Sequence, residues 1–139
     1  IHHLVGGDGR DARGGVEASK LFEWGGLGAG GENEFATRRT GWEAPIHELL
    51  RRRRGVIVFH GHDHFYARQE RDGVVYQLVP QPGHRRGGAL SAPSYGYREG
   101  EIVGGSGVMA VRLDGSGARV QYLRVDGTGG VAHEYRVVR

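Results

Sequence analysis

The sequence contains no cysteine. That excludes a disulfide framework and a thiolate metal site, so any metal must be held by His, Asp, Glu or Asn donors. No apolar run approaches the ~20 residues needed to cross a bilayer as a helix, and no basic segment followed by a hydrophobic stretch opens the chain. A membrane partner is not expected. The only methionine is Met109 and the first residue is Ile1, which leads to the expectation of a piece of a longer product. Nothing in the composition fixes a cellular compartment.

Glycine, in contrast, is abundant, at 27 of 139 residues. It clusters in pairs such as Gly25-Gly26, Gly30-Gly31, Gly87-Gly88, Gly104-Gly105 and Gly129-Gly130. Without a three-residue period this excludes collagen and predicts turns and long surface loops. The length suits one domain with a core and is short for two. A net charge of +3 and a pI near 9.6 favour anionic partners, phosphate compounds or nucleic acid among them.

Read along the chain, Ile1-His2-His3-Leu4-Val5 resembles the exit of a strand. Residues 6–44 are rich in glycine and charge and form a predicted loop insertion rather than core. One short helix is expected at Val16 to Trp24, with Val16, Lys20 and Trp24 on one face. A clearer helix starts near Pro45, with Ile46, Leu49 and Leu50 at i, i+3, i+4 spacing and Gly55 just past its end. Arg51 to Arg54 occupy its last turn, where cations complement the helix dipole.

Val56 to Phe59 is a continuous apolar run of buried-strand type. Tyr66 to Arg71 and Val74 to Val79 flank Asp72-Gly73, the dipeptide of a type I′ hairpin. Residues 80–106 hold Pro80, Pro82 and Pro93 and predict an irregular excursion. Three strands close the chain, at Val108 to Leu113, Arg119 to Val125 and Val131 to Val138, as a half-buried antiparallel meander.

The buried run ends in His60-Gly61-His62-Asp63-His64. Imidazoles at a strand end are neutral nitrogen donors that suit Zn, Fe or Mn better than Ca. An extended backbone would put His62 and His64 on one side, whereas a turn would let them diverge toward two adjacent metals. Gly61 is expected to permit a close backbone approach or unusual dihedrals. His60 would point away from at least one neighbour and support the ligands from behind. His47 reads as a structural residue of its helix, His133 as a core or interface residue, and His84 with Arg85 and Arg86 as a basic loop.

Gly61-His62-Asp63-His64, followed by Phe65-Tyr66, resembles the last metal-binding block of the calcineurin-like metallophosphoesterases, the superfamily that includes the purple acid phosphatases. Ile1-His2-His3-Leu4 resembles the block before it, a strand ending in a histidine ligand. The resemblance implies an α/β fold: the C-terminal half of a two-sheet β-sandwich flanked by helices and ending in an antiparallel meander. It implies a phosphate-ester substrate and two metal ions drawn from Fe, Zn, Mn or Mg. His2 and His62 would be ligands of one ion and His64 of the other; His3 is the lesser half of its pair, since the family's ligand is usually the first histidine after the strand.

The family's aspartate blocks and Asn-His pair have no counterpart here. Gly7-Asp8-Gly9 falls after the first histidine block, in the wrong order, and reads as a turn. The single domain spanning 1–139 is therefore expected to be partial. It should lack activity alone and need the missing N-terminal half of the same domain as its partner; the purple acid phosphatase flavour leans toward an exported parent.

Two other readings compete. A cupin barrel holds a single metal with a His-x-His pair, a Glu and a later His; His62, His64, Glu70 and His84 occur in that order but at imperfect spacing. A nucleic-acid module could use Arg51 to Arg54 with Arg38-Arg39 and Arg85-Arg86, but these fall in separate segments and helix-end solvation explains them better.

Overall fold

The computed structural model describes residues 1–4, 13–83, 88–125, 127 and 129–139. The turn expected at Gly7-Asp8-Gly9 and the basic loop of His84, Arg85 and Arg86 lie outside the described residues. The described residues form three short α-helices, α1 (Phe22–Gly25), α2 (Phe35–Arg38) and α3 (Ile46–Arg51), and seven strands. These are β1 (Ile57–His60), β2 (Tyr66–Arg71), β3 (Val74–Leu78), β4 (Glu101–Val103), β5 (Gly107–Asp114), β6 (Gly117–Arg124) and β7 (Gly130–Val138).

The strands make two sheets, ordered β1-β3-β2-β4 and β5-β6-β7. The fold is mixed α/β and ends in the antiparallel meander that the alternating pattern predicts. Between β2 and β3 the backbone turns at Asp72 (φ 50°) and Gly73 (φ 77°). Two successive positive φ values define a type I′ turn, whose twist matches that of the paired strands. The hairpin returns β3 into the space beside β1, to which it pairs in parallel.

Three expectations are corrected. Val16 to Trp24 is not one helix: a 3₁₀ turn at Ala18–Lys20 and α1 are separated by extended Leu21. There the backbone pairs with Leu27 instead of continuing the helix, through Phe22 N–H to Leu27 O and Leu27 N–H to Lys20 O. Val16 and Trp24 of the presumed loop are buried in the core. Within 80–106, β4 adds an ordered strand to the outer side of β2.

Strand alternation divides the larger sheet into two faces. On one, Val74 and Tyr76 pack with Leu4, Val16 and Trp24, against Ile46 and Leu50 of α3. Further along, Phe65, Ala67 and Leu78 pack with Ala92 and Tyr97. Burying a side chain the size of Phe65 contributes roughly 1.5–3 kcal/mol.

The opposite face meets the meander. Tyr66 stacks on Tyr122 at 4.8 Å between ring centroids, its hydroxyl lies 2.5 Å from His133 Nδ1, and the Arg68 guanidinium lies over Tyr135. His133 is thus an interface residue between sheets.

His47 is buried and structural, as its helical position predicts. Its Nδ1 lies 2.6 Å from the Tyr76 hydroxyl and its Nε2 2.8 Å from Asp72 Oδ2. It ties α3 to the hairpin turn. Arg51 and Arg52 are engaged by Glu48 and Glu43, which accounts for half of the arginine run without a nucleic-acid partner.

Candidate metal centre

The site is built at the C-terminal end of β1. The Ile1 nitrogen donates to the Phe59 carbonyl at 3.0 Å, and Gly61 N–H donates to the His2 carbonyl at 2.8 Å. These bonds lay the first two residues along β1 in the same direction. As a result His2 Nε2 stands 3.0 Å from His62 Nδ1, with ring centroids 4.9 Å apart and the rings near perpendicular. The His3 ring lies 5.5 Å from each of them.

After β1 the backbone enters a turn that treats its residues unequally. His60 is buried, and among the described residues neither ring nitrogen has a hydrogen-bond partner. Burial pushes its pKa down to about 4, against the opposing pull of the Asp63 carboxylate. Among the described residues it makes no hydrogen bond to His2, His62 or His64. Asp63 is also buried, whereas His64 is exposed.

His62 and His64 both adopt positive φ, 82° and 62°, a region that non-glycine residues seldom occupy. The turn sends His62 to His2 while His64 makes no hydrogen bond, ion pair or ring contact with His2, His3 or His62 among the described residues. Gly61, by contrast, does not have a positive φ. A Cβ there would meet nothing nearer than the His2 carbonyl at 3.6 Å, an ordinary contact. The unusual dihedrals belong to the histidines, not to the glycine.

The Asp63 carboxylate faces inward. Oδ1 accepts from Arg13 Nη1 at 2.9 Å, and Oδ2 accepts from Gly14 N–H at 3.0 Å and the Tyr97 hydroxyl at 2.8 Å. Burial, reinforced by the carboxylate, pushes the Tyr97 pKa upward, which keeps its hydroxyl a donor. Arg13 also lies 4.2 Å over the Tyr95 ring. Burial lowers the His62 pKa, Asp63 opposes that, and Arg13, His2 and His3 add to it through their charges.

Two imidazoles on one tetrahedral Zn²⁺ at 2.0–2.1 Å would have their nitrogens roughly 3.3 Å apart. The 3.0 Å spacing of His2 and His62 fits a shared ion after a small relaxation. A fuller set is not assembled: among the described residues no group of three or more His, Cys, Asp or Glu is arranged to hold a metal. Both Asp63 oxygens already accept hydrogen bonds, from three donors in all, and its carboxylate is buried.

Among the described residues the cupin constellation is likewise not brought together. His62 and His64 lie on a turn rather than inside a barrel strand, Glu70 pairs with Arg68, and His84 lies outside the described residues. Sequence reading missed Arg13 and Tyr97, and missed that Asp63 faces inward. Asp63 lies 50 residues from Arg13 and 34 from Tyr97, so no local pattern marks them.

No family model matches the chain, and no curated protein matches it either.

Proposed function

We propose that the chain supplies the histidine part of a dinuclear, metal-dependent phosphoesterase centre of calcineurin-like type, acting on phosphate mono- or diesters. The meeting of His2 with His62 carries this reading. Two histidine blocks 60 residues apart converge at the end of β1, a partly buried strand, in the order that the resemblance implies. Fe, Zn, Mn or Mg ions, held in part by His2, His62 and His64, would supply Lewis acidity for activating water and offsetting phosphoryl charge.

The chain's own contribution is positional and electrostatic. His2 and His62 present neutral nitrogens to one ion, and the depressed proton affinity of His62 keeps it a donor at lower pH than a free imidazole. His64 is left exposed for the second ion. Arg13 brings a guanidinium to the same edge, where an anionic ester would dock. In this reading the bridging carboxylate would come from the aspartate block that the resemblance implies, outside these 139 residues.

Two assays test the reading. The 139-residue chain with added Mn or Fe/Zn is expected to leave an aryl phosphate unhydrolysed. A protein translated from further upstream in the same coding sequence is expected to carry an aspartate block and an Asn-His pair, and to hydrolyse that substrate until His62→Ala removes the activity. An upstream sequence without those blocks, or His62-dependent hydrolysis by the 139 residues alone, would overturn it.

A further inference from the structure

We infer that Asp63 is a positioning residue for this centre: by gathering Arg13, the Gly14 N–H and the Tyr97 hydroxyl, its carboxylate holds the turn that aims His62 at His2 and leaves His64 facing outward. The inference rests on the phosphoesterase reading only for the identity of the group that the histidines serve.

The first argument is strain. His62 and His64 both sit at positive φ, and a non-glycine residue held there costs on the order of 1–3 kcal/mol, so it persists only where its surroundings over-determine it. The turn is fixed at its ends, where Gly61 N–H bonds the His2 carbonyl and Phe65 is buried against the edge of Tyr97 at 4.9 Å. Between them the buried side chain with hydrogen bonds to other segments is Asp63.

The second argument is chemical. All three partners donate, so the residue must accept at both oxygens, and an amide of the same shape would turn an NH₂ toward a donor. Charge-assisted bonds of this kind are roughly twice as strong as neutral ones. The partners are themselves braced, Arg13 by stacking on Tyr95 and Tyr97 by its contact with Phe65. Asp63 thereby couples residues 13–14 and 95–97 to the histidine turn. Groups that orient metal ligands in this way typically affect metal affinity by about 10- to 100-fold.

The test uses the 139-residue chain and two readouts. Without metal, cross-peaks between the His2 and His62 ring protons report the aim of the turn; with Zn²⁺, calorimetric titration reports affinity. Asp63→Asn is expected to lose the cross-peaks and weaken Zn²⁺ binding about 10- to 100-fold with the fold retained by circular dichroism. Tyr97→Phe keeps the ring against Phe65 and removes one hydrogen bond, and should weaken binding by a smaller factor in the same direction. If Asp63→Asn fails to fold, Tyr97→Phe decides alone.

Folded variants that keep both the cross-peaks and wild-type affinity would overturn the inference. Loss of the cross-peaks in Asp63→Asn together with an upstream sequence that lacks the aspartate and Asn-His blocks would uphold the positioning role and sink the phosphoesterase reading instead.

Discussion

His2 Nε2 lies 3.0 Å from His62 Nδ1, although the two rings belong to opposite ends of a long excursion of the chain. The contact depends on the short segment that runs beside β1, and on a left-handed turn that brings His62 back toward it. Most of the chemistry ascribed to this protein follows from that one juxtaposition.

Among the described residues His64 makes no hydrogen bond or ring contact with the pair, so its removal should leave the first metal position intact. In the 139-residue chain, His64→Ala is expected to change the Zn²⁺ affinity less than about twofold by calorimetry, an energy within ~0.5 kcal/mol. A loss approaching that of a direct ligand would place His64 on the same ion.

His60 should make stability depend on pH. The unfolded chain takes up a proton on this ring at the ordinary imidazole value of 6.5, while burial holds the folded-state pKa down to about 4. The unfolded state therefore binds the extra proton first, and stability falls as pH drops from 6.5 toward 4, by on the order of 3 kcal/mol in all. Urea denaturation at a series of pH values checks this. In His60→Leu that component should vanish, with stability at pH 7 equal or higher because two unpartnered buried nitrogens are gone.

His47 joins α3 to the hairpin through Tyr76 and Asp72. Replacing it with alanine takes the His47 partner from the Tyr76 hydroxyl and leaves a cavity under α3, and should cost roughly 1–3 kcal/mol, read as a lower urea midpoint. Zn²⁺ affinity should be unchanged, because the substitution lies at the opposite end of β3 from the histidine turn.

The basic run Arg51 to Arg54 should give no specific nucleic-acid binding. Arg51 and Arg52 are neutralised by Glu48 and Glu43, and binding to duplex DNA is expected to be weak, non-saturating and gone by about 150 mM salt. Saturable binding at that salt would revive the nucleic-acid reading.

What could be read from the residues follows the range of the forces involved. The Asp72-Gly73 hairpin, the strand that follows Val56 and the closing meander are encoded by neighbours in sequence, through turn dihedrals and apolar patterning, although Val56 to Phe59 are only partly buried where a fully buried strand is expected. The juxtaposition of the His2 and His62 blocks was legible as a resemblance between motifs. The break at Leu21 was not, because it depends on Leu27 capturing the backbone groups around it. Nor was the role of Asp63, whose three donors come from distant segments, or the burial of His60, which depends on packing rather than pattern. Gly61 misled for a related reason: glycine signals backbone freedom, but here the unusual dihedrals are taken by His62 and His64 and sustained by tertiary contacts.

Zn²⁺ titration of the wild-type, His2→Ala and His62→Ala chains tests the central claim most directly. The account predicts one ion per wild-type chain, with each substitution weakening it by at least about 100-fold, or ~2.7 kcal/mol. Equal affinity in all three proteins would contradict it.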